Sequence, residues 1–230
     1  MKDLIAFYNE ELNLPLRFTF TNPLINDTQI YDTYSNLIAE CGHNGKNEIL
    51  TSSPILEKYL KQHYPRYKYC RSILAAEIEP YKIEKDTYLT VLKRDKNNDW
   101  EYLNSIPSED RPKIEFLCTD PCPDNCPRIY SHYRDLARAQ LEYSNNTKEA
   151  NCSMGKVKGK FTHLYRKTQL RTYISREDID LKYLPKGFNQ FKISGRGHPY
   201  SIVTGICDYL IKPEYHQDVT GILLNPYLKF

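Results

Sequence analysis

The chain has 230 residues and a mass of 27.1 kDa, with 32 Lys and Arg against 29 Asp and Glu, a formal net charge of +3. Such a balance is a mixed surface; it excludes the single-sign excess of a disordered tail and the basic excess of a dedicated nucleic-acid binder. The length suffices for one large domain with a sizeable core, and no run approaches the roughly 18 apolar residues of a membrane span.

The first residues, MKDLIAFYNEELN, carry acids where a leader peptide would carry bases, so the sequence reads as soluble and cytoplasmic, with no membrane partner. In a reducing compartment its seven cysteines, an odd number, point to metal ligands or reactive thiols rather than a disulfide framework. The 20 tyrosines read as compositional bias and carry no functional weight.

In chain order, Asp3 to Glu11 reads as a helix, Leu16 to Thr21 as a strand and Asp32 to Glu40 as a short helix. Glu48 to Ser52 is a second strand. Ser53 and Pro54 then supply an N-cap and a first-turn proline to a helix that stops at Tyr64-Pro65. Tyr67 to Leu74 and Thr87 to Leu92 are the third and fourth strands, Asp99 to Ile106 is helical, and Lys113 to Cys118 is the fifth strand. A proline-studded loop leads to a helix over Tyr130 to Leu141, followed by a polar insertion at 144–169. Arg171 to Ile174 is a candidate sixth strand, Ser175 with Asp178 resembles a capping box, Phe188 to Ile193 is a seventh strand, and Tyr200 to Ile211 is a helix.

Repeated strand-then-helix units predict parallel strands with right-handed crossovers. Without a glycine-rich phosphate loop after the first strand, the pattern favours a single α/β domain over 1–230, a TIM-like (β/α) barrel with one strand missing or degenerate. A site is then expected at the C-terminal ends of the strands. Those ends carry Asn22, Ser52, Ser53, Arg71 and Arg94 as candidate substrate-binding residues, joined by His198, with Asp95, Asp120, Lys192 and Arg196 as candidate catalytic residues. This polar, basic rim suits an anionic small molecule or a phosphate. The bland alternative for Asp95 and Asp120 is two solvated loop acids.

Cys118, Cys122 and Cys126 stand four apart in CTDPCPDNCP. Pro121, Pro123 and Pro127 exclude a helix there, so the segment is a loop able to turn several thiolates toward one centre. Cys152, in the polar stretch EANCSMGK, is the fourth candidate. Four thiolates suit tetrahedral zinc or an iron-sulfur cluster, and the spacing alone does not choose between these and incidental cysteines. Cys70 and Cys207 fall in apolar patterns and read as core residues.

Two segments carry a family resemblance. Phe191 to Arg196, FKISGR, resembles the KIEGR motif of the collagenase-like peptidase family, number thirty-two among peptidases of unassigned type. The loop with Cys122 and Cys126, followed later by Cys152, resembles the region where that family places its first cluster-binding cysteines. The resemblance implies a TIM-like barrel, a [4Fe-4S] cluster held by Cys122, Cys126 and Cys152 with Cys118 as fourth ligand, and Lys192 and Arg196 at the mouth. It also implies oxygen-independent hydroxylation, or another modification, of a small molecule or RNA. The motif's glutamate is Ser194 here, and the family's further arginine and cysteine signatures are absent from 144–169.

Two other function classes stay open. One is a zinc-stabilised, non-catalytic binding domain for an anionic ligand, nucleic acid or protein partner. The other is RNA binding through Lys156 to Arg171, KVKGKFTHLYRKTQLR, which has six Lys and Arg and no acid.

Overall fold

The computed structural model describes residues 1–76, 81, 83–84, 86–120, 122, 126–144, 171–194 and 199–224. The chain groups into two compact units, Met1–Val91 with Tyr130–Thr147, and Leu92–Ile129 with Lys148–Phe230. The polar insertion lies almost entirely outside the described residues.

In the first unit, helix α1 (Lys2–Ala6) runs into a wider turn over Phe7–Glu11 and leads to strand β1 (Arg17–Phe20). Helix α2 (Thr33–Cys41) starts at Asp32, whose carboxylate accepts from Ser35 N at 2.7 Å. It ends at Gly42, where a Cβ would collide with the Tyr67 hydroxyl and the Phe18 ring. Strand β2 (Glu48–Thr51) follows, and helix α3 (Pro54–His63) opens on Ser53, whose hydroxyl accepts from Leu56 N. Removing that cap in Ser53→Ala is expected to cost about 1 kcal/mol, read as a lowered urea midpoint at unchanged slope.

Strands β3 (Lys68–Arg71) and β4 (Leu89–Val91) complete the unit's sheet, and the β1-β2, β2-β3 and β3-β4 pairings are all parallel. Side chains alternate across it. Ile49 and its register partner Tyr69 lie in one apolar cluster with Leu56 and Leu60 of α3 and with Ala39 of α2. Glu48, Leu50 and Cys70 take the opposite face, where Arg17 Nε meets Glu48 Oε2 across the β1-β2 pair at 2.6 Å and the Cys70 thiol lies 3.7 Å from the same oxygen.

In the second unit, Leu92 N donates to Glu115 O at 2.9 Å, and the chain turns through Arg94–Lys96 into helix α4 (Trp100–Ser105). Strand β5 (Ile114–Leu117) pairs in parallel with β6 (Gln190–Lys192), Phe116 opposite Phe191. Phe116 is fully buried against the rings of Tyr183, Phe188 and Phe191. Helix α5 (Ile129–Leu141) lies in chain order between these strands but, from Tyr130 on, belongs to the first unit. Helix α6 (Arg176–Asp178) opens on a capping box in which Ser175 and Asp178 bond reciprocally, then continues as a wider turn to Tyr183. Helix α7 (Pro199–Leu210) packs Val203 and Cys207 against Val219 of helix α8 (His216–Leu224).

The six strands follow sequence order, β1-β2-β3-β4-β5-β6, with β1 and β6 at the two ends. This is an α/β parallel sheet and not the closed TIM barrel expected from the sequence, since closure requires the terminal strands to pair. One expected strand is missing for a visible reason. Residues 171–174 form a turn and irregular backbone, and their carbonyls are taken by asparagine amides: Asn98 Nδ2 reaches Arg171 O and Tyr173 O, and Asn97 Nδ2 reaches Thr172 O at 2.8 Å. These bonds hold the segment in a turn, and Ile174 N donates to Cys118 O just beyond β5. Among the described residues no helix is long and apolar enough to cross a membrane.

Candidate functional site

The best-built polar cluster of the second unit lies just beyond the C-terminal ends of its strands. After Leu92 the turn carries Arg94 inward, with its side chain 2% exposed. After β5 the chain reaches Asp120, whose Oδ1 accepts from Arg94 Nη1 at 2.7 Å and from Cys122 N at 2.9 Å. One carboxylate oxygen therefore ties a buried guanidinium to the first residue of the cysteine loop. Thr119 holds the neighbouring strand end: its hydroxyl donates to Ser194 O and accepts from Ser194 N, both at 2.7 Å. Asn97 closes the floor, donating to Leu117 O at 3.1 Å.

Within this frame the Cys122 thiol is pushed up, first by burial and then by the Asp120 charge, while Arg94 pulls the other way. Cys126 adds the smallest of the upward pushes. Burial and the neighbouring carboxylate thus favour the neutral thiol.

Cys118 is elsewhere. Strand alternation puts it on the face of Ile114 and Phe116, where it is fully buried and its thiol is raised to about 12 by burial. Its sulfur lies 3.9 Å from Phe116 O, its amide bonds Lys192 O, and its charge is felt by Tyr183 and Tyr209. Of the four candidate ligands, Cys122 and Cys126 lie in the loop after β5, and Cys118 lies on the buried face. Among the described residues no three His, Cys, Asp or Glu side chains converge on a metal position. Cys152, Arg196 and His198 lie outside the described residues, as does the basic segment at 156–170.

No family model matches this chain. No curated protein and no solved structure matches it either.

The other predicted rim residues serve largely as scaffold. Asn22 Nδ2 donates to Ala137 O at 2.9 Å, fastening the loop after β1 to α5. Ser52 Oγ donates to Thr21 O at 2.8 Å, and Ser53 caps α3. Arg71 pairs with Glu84 at 3.3 Å. Asp95 is exposed on its turn, so it does not share the Arg94-bound position of Asp120. Lys192 is half-buried on the face of Gln190, opposite Phe191. Asp120 and Arg94, candidate catalytic and substrate-binding residues from sequence, pair with each other, and Asp120 also holds the Cys122 amide. Sequence reasoning missed Thr119 and the Asn97-Asn98 pair, although two consecutive asparagines between the fourth strand and Asp99 are a turn signal.

Proposed function

We propose that the protein is an α/β enzyme whose site is the cysteine loop after β5, with Cys122, Cys126 and Cys152 as thiolate ligands of an iron-sulfur centre and a non-cysteine fourth position. The substrate class is an anionic small molecule or RNA, held by Lys192 and Arg196. The observation that carries this reading is the anchoring of Cys122 through Asp120 to the buried Arg94, beside Cys126. A loop that merely solvated two cysteines has no need of a buried ion pair. The match of FKISGR to the family motif supports the same reading, and the departure at Ser194 leaves the reaction type to the family resemblance alone.

The residues present would fit such a centre in part: Cys122 and Cys126 share the loop, and Cys118 is fully buried on the apolar face of β5. When bound, the centre would supply electron transfer or Lewis acidity. This chain's own contribution is to fix the loop by the Asp120–Cys122 bond and to join the ends of β5 and β6 through Thr119 and Ser194.

The test is anaerobic purification with iron, sulfide and zinc analysis and an absorption spectrum. A brown protein is expected, bleached in Cys122→Ser and Cys126→Ser and unchanged in Cys118→Ala. Colourless, iron-free protein ends the proposal. If it instead carries one zinc per chain whose chelation unfolds it, the thiolates staple a non-catalytic binding domain.

A further inference from the structure

Three asparagines form the most densely bonded polar network of the first unit. Asn9 and Asn47, 2% and 0% exposed, exchange amide bonds: Asn9 Nδ2 donates to Asn47 Oδ1 and Asn47 Nδ2 to Asn9 Oδ1, each at 2.9 Å. Asn47 Oδ1 also accepts from Leu16 N, and Asn9 Nδ2 donates to Leu14 O, so the pair fixes the passage from α1 into β1. Asn44 is the third member and the exposed one. Its Nδ2 donates to Asn9 Oδ1 at 2.7 Å, while its Oδ1 accepts from Lys46 N at 3.0 Å and Asn47 Nδ2 at 3.2 Å.

The residue after Asn44 is Gly45, with φ of +86° and nothing near its missing Cβ. A glycine amide there is the least hindered nucleophile for the carbonyl carbon of the preceding asparagine side chain. We propose that Asn44-Gly45 is a deamidation site that the asparagine network holds closed, and that its reaction releases the N-terminal helix.

The chemistry balances without a further reagent than water. Gly45 N attacks Asn44 Cγ, the N–H proton leaves with the side-chain amine as ammonia, and a five-membered succinimide forms. Water then opens the ring, leaving aspartate or, with one extra backbone methylene, isoaspartate. In the folded chain, the bonds to Asn9, Lys46 and Asn47 fix the Asn44 amide group in place, so reaction waits on local opening. After reaction, an acceptor oxygen stands where Nδ2 faced Asn9 Oδ1. Two acceptors then oppose each other beside a buried pair, a loss far larger than that of an exposed hydrogen bond.

The experiment incubates the full chain at pH 8 and 37 °C and follows the one-dalton mass gain at Asn44 by peptide mapping, in parallel with the urea-unfolded chain and an Asn9→Ala variant. Deamidation should be at least about tenfold slower in the native protein than in the unfolded chain, an opening cost of about 1.4 kcal/mol or more. Asn9→Ala should fall between. Independently, Asn44→Asp should speed amide hydrogen exchange over residues 2–14 relative to wild type, leaving α3 protected. Equal deamidation rates in native and unfolded protein, or unchanged exchange over 2–14 in Asn44→Asp, overturn the proposal; the second readout stands even if Asn9→Ala fails to fold.

Discussion

Arg94→Met is expected to destabilise the second unit by about 3–5 kcal/mol, the range for removing one partner of a buried ion pair. Arg94 and Asp120 have side chains 2% and 11% exposed, so the carboxylate left behind keeps the Cys122 amide and little solvent. Arg94→Lys retains a charge but loses the planar fork, and should recover only part of the loss. The double variant Arg94→Met with Asp120→Leu removes both charges and should be more stable than Arg94→Met alone, because the single variant's penalty is an uncompensated charge rather than a lost attraction. Urea unfolding of all three decides the matter. A single variant within about 1 kcal/mol of wild type would place this pair with ordinary surface salt bridges.

The same pair shows what the sequence could and could not reveal. Strands β1, β2, β4, β5 and β6 fall within their predicted ranges because short apolar or alternating runs bounded by prolines, asparagines and caps are local signals. The third was drawn three residues too long, to Leu74, since Ser72 turns the chain by accepting Leu74 N. Helix α3 and the Ser175–Asp178 box were legible for the same reason: a cap bonds to its own next turn. Helix α8 was not, as its run HQDVTGILL offers a glycine and three β-branched residues where strong helix formers would announce it. Its evidence is tertiary, in the contact of Val219 with Val203 and Cys207.

Site residues were harder, because a charge at a strand end looks alike whether it faces a ligand or a scaffold partner. Arg71 has Glu84 and Asn22 has Ala137 O, partners 13 and 115 residues away that no local pattern discloses. Cys118 was grouped with the loop cysteines by sequence interval, whereas the structure buries it beyond the end of β5. The four-residue spacing of Cys118, Cys122 and Cys126 treats them as equivalent, whereas strand alternation assigns the first to the apolar face and leaves the other two to the loop. Parity along β5 was readable: Ile114 and Phe116 mark the apolar face, and Cys118 continues it.

That face leads to the second large effect. Phe116→Ala should cost about 3–5 kcal/mol, the range for emptying a buried aromatic site. Phe116 is fully buried, stacks on Phe191 at 5.6 Å and meets Tyr183 and Phe188 edge to face at 5.1 and 5.3 Å. Its neighbours are held against relaxing into the cavity. Tyr183 is pinned by its hydroxyl bond to Asn97 O at 2.6 Å, Phe191 by the β5-β6 register, and Phe188 by its amide bond to Tyr183 O. A site that cannot collapse pays the cavity term in full, so Phe116→Leu, which retains most of the volume, should lose far less. Because Cys118 lies on the same face, the cavity should also expose its thiol. In protein stripped of metal, alkylation of Cys118 by a small maleimide should be fast in Phe116→Ala and undetectable in wild type, while Cys122 and Cys126, half-buried in the loop, react in both. Reaction of Cys118 in the wild-type protein at the rate of Cys122 would mean that its thiol faces the loop after all, and would restore it to the candidate ligand set.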